Sequence, residues 1–106
     1  MMICEEMKKL RAWLDEQKIT WKDVSNGLPK EALKVDGVLD WWICRTHFWV
    51  NGYHFSVING HGSYGGYMLN DEKNQGLLEM MIGNHEPTGY MTADDCIKEI
   101  KNYLKY

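Results

Sequence analysis

Apolar side chains return at Ile3, Met7, Leu10 and Leu14, with charged residues filling the gaps between them. That spacing lines one face of an α-helix, so the chain predicts an amphipathic first helix lying on a core. The period then changes. Residues 19–25, ITWKDVS, alternate through Ile19 and Trp21 and predict a short strand. Asn26-Gly27 predicts a turn, Pro29 suits the first position of a short helix over PKEALK, and Asp36-Gly37 predicts another turn. The longest β pattern follows in LDWWICRTHFWV, and Asn51-Gly52 separates it from YHFSVIN. Two β-rich runs joined by Asn-Gly predict a hairpin.

Gly76 and Gly83 bracket LLEMMI, which predicts a third strand with a short buried helix as its rival. Gly89-Tyr90-Met91 predicts a brief fourth strand. Thr92 is placed to cap a last helix, with Asp94 and Asp95 in its first turn, where the helix dipole favours acids. Ala93, Cys96, Ile97, Ile100, Tyr103 and Leu104 form that helix's apolar face. The order predicts one α+β domain over residues 1–106, an antiparallel sheet of three to four strands around a central Asn-Gly hairpin, packed by the N- and C-terminal helices.

The hairpin also sorts its side chains. A two-residue turn pairs Val50 with Tyr53, Trp49 with His54, His47 with Ser56 and Arg45 with Ile58. Alternation then puts Cys44, Thr46, Phe48, Val50, Tyr53, Phe55 and Val57 on a core face. The opposite face collects Arg45, His47, Trp49, His54 and Ser56. A cation, two imidazoles, a hydroxyl and an indole differ from the Lys, Glu and Thr of an ordinary solvated sheet face. Such groups can clamp an anion while stacking a ring.

Residues 57–67, VINGHGSYGGY, then raise a second possibility, because Gly60, Gly62 and Gly65 spell G-x-G-x-x-G after a strand. A dinucleotide fold needs that turn between a parallel strand and a helix, within βαβ units. Here the preceding strand is an antiparallel hairpin arm, and the following GYMLNDEKNQG is a poor helix. A Walker loop fails because Gly66 stands where Lys is required, and Ser63 does not sit in a nucleophile elbow. A plastic glycine loop survives, whose amides can serve as an anion nest. Asn59, Gly60, His61, Gly62, Ser63, Tyr64, Gly65 and Tyr67 therefore join the hairpin face as candidate ligand-binding residues.

His47, His54 and His61 recur every seven residues, but no carboxylate or cysteine stands at a confirming spacing, so no metal site is expected. No cofactor is expected either. A His–Arg acid/base pair lacks a placed nucleophile or orienting carboxylate, which leaves a small hydrolase or transferase as the weakest reading.

Composition narrows the partners. A net charge of −3, with no basic run longer than Lys8-Lys9, argues against extended nucleic acid. Five Trp, six Tyr and seven Met favour a sticky recognition surface and allow a homodimer or higher oligomer. Cys4, Cys44 and Cys96 have no C-x-x-C spacing and read as reduced core thiols of a cytoplasmic protein. No apolar run approaches the ~20 residues of a membrane span.

The runs SVINGHGSYGG, GLLEMM and GYMTADDCIKEI resemble small accessory proteins carried by phages and mobile elements of Gram-positive bacteria, over roughly residues 45–100. The resemblance implies a non-enzymatic, anti-defence role, through sequestering a nucleotide signal or occluding a host protein. It assigns no functional residue. The leading expectation is a binding module for a small anionic, nucleotide-like ligand; the alternative is a protein–protein inhibitor of a host protein that uses the aromatic hairpin surface.

Overall fold

The structure, a computed structural model, describes residues 4–27, 42–66 and 74–104. Its elements run α1 (Glu5–Glu16), β1 (Trp21–Asp23), β2 (Asn26–Gly27), β3 (Trp42–Val50), β4 (Tyr53–Gly60), β5 (Leu78–Ile82), β6 (Thr88–Met91) and α2 (Ala93–Lys101). The expected PKEALK helix and Asp36-Gly37 turn lie outside the described residues, as does Tyr67.

The fold is α+β, with an antiparallel sheet ordered β1-β3-β4-β5-β6, and with β2 also paired to β3. The sheet is wider than the three to four strands that the hydrophobic pattern predicts, because both edges are extended by short segments. At one edge Trp21 stands opposite Phe48, and Asn26 opposite Ile43, in one continuous register. Between the two segments Val24 N donates to Arg45 O at 3.0 Å, and Arg45 N turns to the Ser25 hydroxyl at 3.0 Å. Asn26-Gly27 is thus strand rather than turn. Pairing along β3 overrides the local preference of the dipeptide.

Across β3 and β4 the pairs run from Val50 opposite Tyr53 to Ile43 opposite Gly60. Asn51 and Gly52 link the strands at φ 49° and 85°, the left-handed backbone of a tight turn. LLEMMI forms a strand, not the rival helix: its Met80 pairs with Val57 and its Glu79 with Ile58.

Both helices contribute to one core and touch each other. Met7, Leu10 and Leu14 of α1 and Ala93, Cys96 and Ile100 of α2 meet Cys44, Phe48, Phe55, Val57, Leu78 and Met80 of the sheet. Phe48 and Phe55, paired across the hairpin, stack at 5.0 Å between ring centroids. Tyr53 departs from the expected core face. It stands at the end of the hairpin, 51% exposed, with its ring edge-on to Tyr103 at 4.7 Å. Helix α2 opens with a complete capping box: Asp95 N donates to Thr92 Oγ1 at 3.1 Å, and Thr92 N to Asp95 Oδ2 at 3.0 Å. No helix among the described residues is long and apolar enough to cross a membrane.

Candidate functional site

Because the helices cover one face of the sheet, strand alternation turns Arg45, His47, Trp49, His54 and Ser56 toward the other. The sheet brings four of these five around one hollow of about 260 Å³, where Arg45, His47, His54 and Ser56 are joined by Ile58, Glu79, Met81 and Pro87. The rows follow from the register. Lys22, His47, Ser56 and Met81 stand side by side across β1, β3, β4 and β5, while Arg45, Ile58 and Glu79 form the next row.

The two imidazoles lie on the diagonal of the hairpin, edge to face, with centroids 4.7 Å apart. Trp49 lies tilted against His54, with centroids 4.5 Å apart, and remains 54% exposed. A further hollow of about 460 Å³ opens beside the indole, bordered by Lys18, Thr20, Lys22 and Asn51. Arg45 Nε and His54 Nε2 are both buried without a hydrogen-bond partner. Native structures contain few such atoms, and each costs about 1–3 kcal/mol to leave unpaired. Burial holds the His47 pKa below its ordinary value of 6.5, with the neighbouring His54 and then Arg45 pushing the same way.

The glycine loop does not line that hollow. Gly60 N donates to Ser63 Oγ at 3.0 Å, and Ser63 N returns to Gly60 O at 3.3 Å. Gly66 N donates to Ser63 O at 3.0 Å, and Tyr64 N to Glu79 Oε1 at 3.3 Å. These amides are already engaged inside the protein, that of Tyr64 by a carboxylate. Ser63 is buried, and Asn59 donates through Nδ2 to Asn74 Oδ1 at 2.9 Å and Leu77 O at 2.8 Å. Gly60, Ser63 and Asn59 therefore hold the fold. Tyr64 is exposed but faces Tyr90, at 6.2 Å between centroids, and neither it nor His61, Gly62 or Gly65 lines the hollow.

Close packing explains Gly65 and Gly66. A Cβ on Gly66 would stand 2.3 Å from Ser63 Oγ and 2.4 Å from Gly60 O, and one on Gly65 would stand 2.8 Å from Leu77 Cβ.

Sequence reasoning missed Lys22, Glu79, Met81 and Pro87. Alternation within LLEMMI already separates Glu79 and Met81 from Leu78 and Met80. The register that brings them beside Ser56 and Ile58 crosses the long 61–77 connection, which no local pattern sets. Lys22 needed the pairing of β1 with β3, likewise set across a long connection.

Cys44 and Cys96 are buried and Cys4 partly so; all three are free thiols, and burial pushes Cys96 up to about 12. None is activated as a nucleophile. The described residues gather no cluster of three or more His, Cys, Asp or Glu side chains able to hold a metal. No protein-family model, curated protein or solved structure matches this chain.

Proposed function

We propose that this chain is a non-enzymatic binding module that holds a small anionic, nucleotide-like ligand on the uncovered face of β3 and β4. Arg45 and His47 meet the charge, Ser56 adds a hydroxyl, and the exposed indole of Trp49 offers a surface on which a ring can stack. One observation carries the reading: two of the residues that line the hollow, Arg45 and His54, each hold a buried nitrogen without a hydrogen-bond partner. A fold selected for stability alone would pair them or replace them. In the setting that the phage-protein resemblance implies, such a module would sequester a nucleotide signal in the host cytoplasm.

A thermal-shift and calorimetry screen of nucleotides and cyclic dinucleotides tests the proposal. Binding by at least one of them, lost in Arg45→Ala, is the expected result. Silence from every compound removes it.

The second reading is a protein–protein inhibitor, favoured by Trp49 and Tyr53 standing half-exposed at the same end of the hairpin. It requires one stoichiometric protein partner, captured by the native chain and lost with Trp49→Ala, together with silence in the nucleotide screen.

A further inference from the structure

Building on the ligand-binding reading, we propose that the hollow takes a terminal phosphate monoester as its dianion, and that His47 takes up a proton as the ligand binds.

Size comes first. About 260 Å³ lies at or below the small end of ligand pockets. What enters it is a compact group, not a whole nucleotide, while the remainder of the ligand extends toward Trp49 and the adjoining hollow. Charge comes second. Arg45 from its own strand, His54 from β4 and Glu79 from β5 line the hollow with His47, and Lys22 of β1 stands beside it in the register, lining the adjoining hollow. Glu79 Oε1 accepts the Tyr64 amide, which turns part of its charge toward the glycine loop. Two fixed cations therefore stand against one carboxylate. Once His47 holds a proton, the surplus matches two negative charges.

The imidazole geometry links the proton to the ligand. Two rings with centroids 4.7 Å apart, beside a guanidinium, cannot both be cationic without strong repulsion. In the free protein burial chiefly, and then repulsion from His54 and Arg45, keeps His47 neutral to lower pH than an ordinary histidine. An oxyanion seated among the rings reverses the balance, because it favours the charged form of whichever ring it touches. By linkage, a ligand that raises proton affinity binds more tightly as pH falls.

A phosphate monoester is a dianion above its second pKa of about 6, whereas a phosphodiester carries a single charge throughout this range. The site therefore separates two nucleotides that share base and sugar. Calorimetry of the full chain with adenosine 5′-monophosphate and adenosine 3′,5′-cyclic monophosphate makes that comparison. It is run near pH 8, 7 and 6 in two phosphate-free buffers of different ionisation heat.

The monoester is expected to bind about tenfold or more tightly than the cyclic diester, which has one charge fewer. Its affinity should rise several-fold from about pH 8 to about pH 6 and turn down below that, where the phosphate takes its own proton. The observed heat should differ between the buffers by the uptake of a proton. His47→Gln combined with His54→Gln should flatten the pH slope.

Equal affinity for the two nucleotides overturns the choice of a dianion. Monoester binding with no buffer dependence, or a pH slope that survives in the double variant, overturns the proton uptake. Binding of cyclic dinucleotides without the monoester overturns this inference and leaves the ligand-binding reading standing. Silence from all of them removes both.

Discussion

At Gly66 an added methyl group would sit 2.3 Å from Ser63 Oγ, 2.4 Å from Gly60 O and 2.7 Å from Gly60 N. Two of those atoms are backbone, so the loop would have to open. At Gly89 the methyl would meet Tyr64 Cβ at 2.2 Å, a position fixed by the Tyr90 N to Tyr64 O hydrogen bond of 3.1 Å. Gly62 differs from both. Its φ of 79° is left-handed, but nothing lies within 4 Å of its missing Cβ. Gly66→Ala and Gly89→Ala are therefore expected to lower stability by about 3 kcal/mol each, near the upper end of overpacking effects. Gly62→Ala should lose only about 1 kcal/mol, the strain of a left-handed alanine. Urea denaturation of the three variants checks the order. A reversed ranking would mean that the loop is not packed as described. The motif G-x-G-x-x-G was legible as a flexible turn, but the packing reason for Gly65 was not, because the surface it meets comes from Leu77, outside the motif.

Elements were more legible than their connections. The α1 stripe and the hairpin alternation are local periods, and Met7, Leu10, Leu14, Phe48 and Phe55 are fully buried as those periods require. What docks α1 on the sheet is a charged side chain that periodicity cannot assign. Arg11, 7% exposed, donates from Nε to Thr46 Oγ1 at 2.8 Å and from Nη2 to Arg45 O at 3.4 Å, and lies 4.6 Å over the Trp21 ring. Its ion pair with Asp23, at 3.3 Å, is half open to solvent and adds little by itself. Arg11→Ala would leave Thr46 and the Arg45 carbonyl without that donor and empty the space above Trp21. A loss of about 3 kcal/mol is expected, and Arg11→Lys should recover only part, because an ammonium cannot reproduce the planar fork. Full recovery by lysine in chemical denaturation would show that charge alone docks the helix.

Asp23 adds a pH dependence to the same edge. The Ser25 hydroxyl chiefly, then the Ser25 amide and Arg11, hold its carboxyl below the usual 3.8 in the folded chain. A carboxylate with a depressed folded pKa contributes stability that is complete above its unfolded value and lost as pH falls through the folded one. Stability measured by urea should therefore decline below about pH 4, with a shallower decline in Asp23→Asn. An identical acid limb in that variant would show that Asp23 does not contribute to it.

At the scale of the whole molecule the sheet is asymmetric, and stability and binding should separate between its faces. Phe55, fully buried in the stack with Phe48, belongs to the face that the helices cover. Phe55→Ala should lose about 3–5 kcal/mol, the usual penalty for emptying an aromatic site in a core. Trp49, one register position from Phe48 but on the opposite face, should lose less than about 1 kcal/mol when cut to alanine. The unpartnered nitrogens sharpen the contrast. Arg45→Met and His54→Phe keep most of the apolar volume and remove an unsatisfied donor or acceptor that now lies buried. Each should leave stability unchanged or raise it by about 1–2 kcal/mol, because a buried polar group without a partner is a net penalty. The same substitutions should weaken ligand binding, Arg45→Met to the point of loss. That combination, stability kept or gained while binding is lost, marks groups retained for a ligand. Denaturation midpoints and calorimetry on the same preparations decide it. If Arg45→Met and His54→Phe destabilise the chain as Phe55→Ala does, the uncovered face is part of the scaffold, and the binding site has to be sought elsewhere on the molecule.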